Sequence, residues 1–132
     1  MGRLCLATRS VLHLVKPFGF TLDDRQLKRA GLDYWDEVEV RTWDSLEALR
    51  GAQAPDARYF FLTTKTDRAY YDVKFELKDF LVFGRETKGL PENLLAANRD
   101  NCLTIPMQGT RSLNLATAVG IVLFEAVRQQ SL

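Results

Sequence analysis

The fold is decided between residues 79 and 130, where the chain reads DFLVFGRETKGLPENLLAANRDNCLTIPMQGTRSLNLATAVGIVLFEAVRQQ. Two apolar runs, DFLVFG (79–84) and CLTIP (102–106), are typical of buried strands, and each ends in a turn. A helix is predicted after each turn, the second over residues 112–130, where apolar residues recur at spacings of three and four. This alternation predicts an α/β fold with a mainly parallel sheet flanked by helices.

The chain upstream of residue 79 continues the alternation. VLHLV (11–15) and YFFLTT (59–64) predict two further buried strands, and the second is so continuously apolar that we expect it in the middle of the sheet. No repeat or low-complexity stretch interrupts the pattern, so we expect residues 1–132 to form one domain. The weaker elements predicted between these strands are a helix over 22–30, a strand over 37–41 and a helix over 45–49 that Ser45 caps.

The composition restricts the classes of function. With 132 residues, 46% of them hydrophobic, the chain is long enough for one substantial core. Its 18 Lys and Arg against 17 Asp and Glu leave a net charge of +1, so an RNA partner would need a local basic patch. No stretch approaches the roughly 18 apolar residues of a membrane span, and Cys5 and Cys102 belong to no metal-binding motif. We expect buried reduced cysteines, no metal, no membrane association and a cytoplasmic location.

Three of the predicted strands end in turns rich in small and polar residues, at 62–65, 84–89 and 105–112. Ligands of open parallel sheets bind beyond the carboxyl ends of the strands, so we expect the three turns to surround one pocket. Rossmann and P-loop sites are disfavoured because their glycine motifs are absent. His13, the single histidine, lies within an apolar strand and is interpreted as a core residue rather than a catalyst.

Three longer segments together resemble the SPOUT superfamily of RNA methyltransferases. LVFGRETKGLP (81–91) looks like its second motif, IPMQGTRSLNLATAVGIVLFEA (105–126) like its third, and PFGFTLDDRQLKRAGLDYW (17–35) is similar to the tRNA wobble-nucleotide branch. The resemblance implies S-adenosylmethionine-dependent 2′-O-ribose methylation of tRNA at nucleotide 34, through the anticodon stem-loop. It also implies a C-terminal deep trefoil knot and a homodimer.

The resemblance also implies the site residues. Arg3 matches the arginine assigned to activating the ribose hydroxyl, and because arginine stays charged we expect it to orient the nucleotide and stabilise developing alkoxide charge. Glu86 is either its partner or a cap for the following helix turn. Gly84 would allow a close approach between backbone and ligand. The positions that match cofactor contacts, with their neighbours, are Leu62, Gly84, Ile105, Met107, Ser112 and Leu113.

Several assignments keep an alternative. Ser112 and Asn114 either cap the long helix or hold a ligand, which for Asn114 would be RNA. Arg25, Lys28 and Arg29 either bind anticodon-stem phosphates or form a solvated helix face. The alternative functions are 2′-O-methylation of another tRNA or rRNA site, and a non-catalytic dimeric knotted protein that binds RNA or another ligand.

Two features depart from the family pattern. Family members begin with a further buried strand and an Asn/Gly-rich loop before the position of Arg3, so we expect either a sequence that is truncated at its N-terminus or another segment in the place of that strand. Arg9 stands in the turn before VLHLV, where relatives commonly have glycine. We expect the backbone of that turn to differ from theirs.

Overall fold

The computed structural model describes residues 2–16, 37–84, 89–110 and 112–131. The chain divides into two compact units, Met1–Pro55 and Asp56–Leu132. Each unit combines helices with strands that pair in parallel, which confirms the predicted α/β class. The helix predicted over 22–30 lies outside the described residues.

The first unit contains a two-stranded parallel sheet. Helix α1 (Gly2–Thr8), which was not predicted, leads into strand β1 (Leu12–Val15). Strand β2 (Val40–Trp43) pairs with β1, and it begins three residues later than the predicted strand over 37–41. The register with β1 explains the shift, because β2 forms only where β1 offers backbone partners. Helix α2 (Leu46–Gly51) begins as predicted, with Ser45 Oγ accepting from the Ala48 amide at 3.0 Å.

His13 has a structural role on β1. Trp43 Nε1 donates a hydrogen bond to His13 Nδ1 at 3.0 Å, across the pair of strands. Partial burial lowers the pKa of His13, and Arg41 lowers it further while Glu39 opposes the shift. The ring therefore accepts a structural hydrogen bond, but it is only partly buried and lies outside the core cluster of this unit, so the core position predicted for it is wrong.

The turn between α1 and β1 ends the helix with an arginine in an uncommon conformation. Arg9 has a φ of 56°, in the left-handed region that favours glycine. Its amide donates to Leu6 O at 3.3 Å, and the Ser10 amide donates to Cys5 O at 2.8 Å. These are the two hydrogen bonds of a Schellman helix end, in which glycine is the usual residue. Arg9 thus adopts the backbone conformation that glycine would supply, at the steric cost of its Cβ.

The second unit is built on a three-stranded parallel sheet. Strand β3 (Tyr59–Leu62) lies in the centre, between β4 (Phe80–Val82) and β5 (Cys102–Leu103), as predicted for YFFLTT. Helix α3 (Glu92–Ala97) follows β4, and helix α4 (Leu115–Ser131) follows β5. Short 3₁₀ turns that were not predicted lie at Tyr70–Asp72 and Arg99–Asn101.

The core of this unit joins the sheet to α4. Val122 of α4 is fully buried in a cluster with two strand residues, Phe60 and Leu103, and with Val73 and Phe75 of the segment between β3 and β4. The last turns of α4 are held by Gln129, whose Oε1 accepts from the Phe75 amide at 2.7 Å and whose Nε2 donates to Val73 O at 2.9 Å. Core packing of Val122 and the hydrogen bonds of Gln129 therefore fix the middle and the last turns of the helix.

The two cysteines agree with the expectation from composition. Cys5 and Cys102 are both buried and free, and burial raises the pKa of each thiol. Within residues 2–16, 37–84, 89–110 and 112–131, no helix is both long enough and apolar enough to cross a membrane.

Replacing Arg9 by glycine should stabilise the protein. The left-handed conformation costs a non-glycine residue about 1–2 kcal/mol, and the greater freedom of glycine in the unfolded chain offsets roughly half of that gain. We expect the free energy of unfolding to rise by about 0.5–1 kcal/mol in urea titrations. Arg50→Gly is the matched control, because Arg50 is an exposed arginine within α2 and should lose about 1 kcal/mol. A loss of equal size in Arg9→Gly would contradict the argument.

Candidate active site

The three turns at the carboxyl edge of the β4-β3-β5 sheet surround one cavity of about 300 Å³. The turn after β3 contributes residues 62–65, the turn after β4 contributes 83–84 and 89–90, and the segment after β5 contributes several residues between 104 and 113. Parallel strands have their carboxyl ends at one edge of the sheet, so the topology itself brings these turns close together.

The structure brings together all of the residues that the sequence analysis assigns to the cofactor. Their assignment to a cofactor stays a prediction, but their location in one cavity is a property of the fold. The residues that line the cavity are Leu62, Gly84, Ile105, Met107, Ser112 and Leu113.

The lining is mostly apolar, with a few hydroxyl groups. Ile105, Met107 and Leu113 offer apolar surface, and Ser112 with the threonines of the β3 turn offers hydroxyls. Among the described residues of the lining, Lys65 is the single charged one. The described part of the chain also holds no group of three or more metal-ligating side chains. Such a cavity suits a ligand with an apolar ring system and a few polar groups, and its volume lies at the lower end of the roughly 300–1,000 Å³ range of small-molecule pockets.

Gly84 is required by the packing of its own turn. A Cβ at Gly84 would lie 2.5 Å from Leu90 N and 2.6 Å from Gly89 O, distances that real Cβ atoms do not adopt. The sequence predicts a close approach of the ligand at this glycine, whereas in the structure the backbone of Gly89 and Leu90 makes the close approach. Gly89 has a φ of 64°, so it supplies the left-handed conformation that reverses the chain. The two glycines together close the turn against the cavity.

Ser112 and Asn114 occupy different positions before α4. Asn114 Oδ1 accepts hydrogen bonds from the amides of Ala116 at 2.9 Å and Thr117 at 3.3 Å, so Asn114 caps α4. Ser112 lies before the cap and lines the cavity, where its carbonyl accepts from Thr110 Oγ1 at 3.4 Å. Asn114 is also exposed, so capping leaves the predicted RNA contact open.

The other predicted site residues lie elsewhere in the chain. Arg3 is an exposed residue of α1 in the first unit. Its catalytic role stays a prediction. The remaining candidates fall outside the described residues: Arg25, Lys28, Arg29 and Glu86.

Sequence reasoning missed several residues of the lining. Lys65 belongs to a turn that the sequence marks as functional, but the resemblance selects only Leu62 there. Leu95 and Ala118 come from the first turns of α3 and α4, which lie against the strand ends. Helical periodicity shows that such residues face inward, but it does not show which of them reach a cavity.

Comparisons with known proteins agree with the resemblance. Residues 1–124 match the model of the SpoU rRNA Methylase family. A tRNA (cytidine(34)-2'-O)-methyltransferase of Burkholderia ambifaria is 45% identical over 130 residues, which cover 96% of this chain and 83% of that protein. A solved structure that concerns the 2-OH methylation of C/U34 on tRNA has a TM-score of 0.90 at 45% identity, covering 98% of this chain and 85% of that one.

A more distant structure is solved with a cofactor. The SpoU methyltransferase AviRb from Streptomyces viridochromogenes, in complex with AdoMet, has a TM-score of 0.76 at 26% identity. The match covers 98% of this chain and 53% of that one. The shared fold therefore occurs in a protein that binds this cofactor.

Replacing Gly84 by alanine should destabilise the second unit, because the added Cβ meets backbone that cannot move aside cheaply. We expect a loss of about 1–3 kcal/mol, the usual cost of overpacking, in urea titrations. Gly51→Ala is the control: a Cβ at Gly51, in α2, would meet nothing within 4 Å, so its stability should be unchanged or slightly higher. Equal stability of the two variants would show that the Gly84 turn is not tightly closed.

Proposed function

Because this chain belongs to the SpoU rRNA Methylase family, we propose that it transfers the methyl group of S-adenosylmethionine to the ribose 2′-hydroxyl of nucleotide 34 of tRNA. The observation that carries the proposal is the meeting of all six predicted cofactor residues in one cavity at the carboxyl edge of a parallel sheet. The names of relatives at 45% identity favour nucleotide 34 over other sites of tRNA or rRNA.

The chemistry of the lining fits the cofactor. The apolar side chains of Ile105, Met107 and Leu113 would pack against the adenine, and the Ser112 hydroxyl with main-chain groups near Gly84 would bind the polar parts. No carboxylate occurs among the described lining residues, so main-chain groups would hold the ribose hydroxyls. The bound cofactor supplies an electrophilic methyl group to an RNA hydroxyl held in line with it.

Arg3 is the proposed catalytic residue. Its guanidinium stays protonated, so it would orient the target ribose and stabilise the negative charge that develops on the 2′-oxygen. The hydroxyl proton would then pass to phosphate or water. Glu86 would hold Arg3 in position, or cap the helix turn that follows it.

The RNA would be bound by a local group of charges. Arg25, Lys28 and Arg29 occur within a short segment, and together they would bind phosphates of the anticodon stem-loop. Asn114, at the start of α4 beside the cavity residues, would contact the nucleotide that enters. With a net charge of +1, the chain has no general positive field, so these contacts would set the position of the RNA.

We also propose that residues 1–132 act as one domain, that the C-terminal segment is threaded as a trefoil knot, and that the protein is a homodimer. The dimer is supported by α4: Val119 and Val122 are buried, yet Phe124 of the same helix is 46% exposed. A second copy would cover this phenylalanine.

Light scattering at micromolar concentration should then give twice the 15.1 kDa mass of the chain, and a monomer mass would exclude the dimer.

The decisive assay uses an anticodon stem-loop RNA and S-adenosylmethionine labelled in the methyl group. Label should enter an RNA with cytidine or uridine at position 34, and no label should enter the same RNA with a 2′-deoxynucleotide there. Equal labelling of both RNAs would assign the reaction to another nucleotide. Tight cofactor binding without labelling of either RNA would favour the non-catalytic alternative.

Replacing Arg3 by alanine should separate binding from chemistry. We expect nearly unchanged affinity for S-adenosylmethionine and a methylation rate lower by about two to three orders of magnitude, as for the loss of one electrostatic stabiliser. Arg3→Lys should recover little activity, because a point charge does not replace a planar fork of donors. Arg50→Ala removes another exposed arginine of the same unit and should leave the rate unchanged. An Arg3→Ala rate equal to that of the wild type would rule out this role.

A further inference from the structure

An ion pair joins the turn after β3 to the first residue of α3, beside the cavity. Lys65, in the turn after β3, donates from Nζ to Glu92 Oε1 at 2.7 Å. Glu92 is the first residue of α3, which follows the glycine turn after β4. The pair therefore links two segments that are 27 residues apart in the sequence.

Both ends of this link are anchored at the cavity. Lys65 itself belongs to the lining, and its amide donates to Thr63 Oγ1 at 3.1 Å, which tightens the β3 turn. Glu92 lies between Leu90 and Leu95, two residues that also line the cavity. A displacement of either turn would have to break the pair or move these lining residues.

The pair lies on the solvent side of the two turns. The side chains of Lys65 and Glu92 are 59% and 84% exposed, so neither is part of the packed core. The hydrogen bond and the positive charge of Lys65 lower the pKa of Glu92, so the carboxylate is ionised over the working pH range. Exposed pairs of this kind contribute little to global stability, so the effect of this pair would be local to the two segments that it joins.

We propose that Lys65 and Glu92 form a strap that holds the turn after β3 against the start of α3 at the cavity, so that both are positioning residues for S-adenosylmethionine. The inference rests on the proposed function, and it adds how the bound cofactor is retained. Neither residue takes part in methyl transfer. Loss of the strap therefore acts on the affinity and dissociation rate of the cofactor, and leaves the rate at saturation unchanged.

The test compares Lys65→Gln, Glu92→Gln and the double variant. Calorimetry and stopped-flow measurements give Kd and the dissociation rate for S-adenosylmethionine and for its demethylated product. We expect each single variant to raise both quantities about two- to five-fold, as for an exposed ion pair. The double variant should be no weaker than the single ones, because the same link is lost once. In the methylation assay KM for the cofactor should rise while kcat stays constant.

Salt and charge reversal distinguish the strap from a structural defect. At about 1 M salt the Debye length is about 3 Å, so the difference between wild type and variants should shrink. The swapped variant Lys65→Glu/Glu92→Lys should recover affinity, because it restores a pair of opposite charges. The product lacks the sulfonium charge, so an effect of equal size on both ligands excludes simple repulsion between Lys65 and the cofactor.

The matched control is the ion pair between Lys16 Nζ and Asp44 Oδ1 in the first unit, with a distance of 3.1 Å and exposures of 56% and 87%. Lys16→Gln and Asp44→Asn should leave cofactor affinity unchanged. An effect of Lys65→Gln that Glu92→Gln does not share would overturn the strap and indicate a direct contact between Lys65 and the ligand. Unchanged affinity in both variants would overturn it as well. A wild-type protein that binds neither ligand would instead overturn the proposed function, and the strap with it.

Discussion

The site depends on the parallel pairing of β3 with a strand on each side. Phe61 of β3 is fully buried, and its backbone is opposite Val82 of β4 and Cys102 of β5. This register places the ends of three strands at one edge of the sheet, where their turns form the cavity. A slip of one residue in β3 would move Phe60 out of the core and turn Leu62 away from its present face, because neighbouring side chains point to opposite faces of a sheet.

The position at which α4 starts also determines which residues line the cavity. Periodicity predicts a helix from residue 112, but Asn114 caps it and the helix begins at Leu115. Ser112 and Leu113 are therefore loop residues, and both line the cavity. A helix with an earlier start would have drawn both residues into its first turn. The error in the predicted boundary thus coincides with two residues of the proposed binding site.

The sequence predicts those parts of the fold that depend on local pattern. The continuous apolar run of YFFLTT predicts a central strand, and Ser45 predicts the start of α2; both are confirmed. The position of β2 could not be predicted, because it depends on pairing with β1. The link between Lys65 and Glu92 could not be predicted either, since turns that surround one pocket do not by themselves show which side chains make contact. The cavity residues themselves came from the family resemblance, since periodicity does not distinguish a lining residue from a core residue.

The charge at the cavity lining affects which ligand the cavity can bind. A cofactor that carries a positive sulfonium is best placed in a lining without an unpaired cation, since like charges in a partly enclosed site repel strongly. The one charged side chain among the described lining residues, Lys65, is paired with Glu92, so its field at the cavity is reduced. RNA phosphates require the opposite arrangement, a concentration of cations that are not neutralised. A chain with a net charge of +1 has no general positive field, so the pairing of Lys65 favours the cofactor at the cavity, whereas RNA would need a local group of cations.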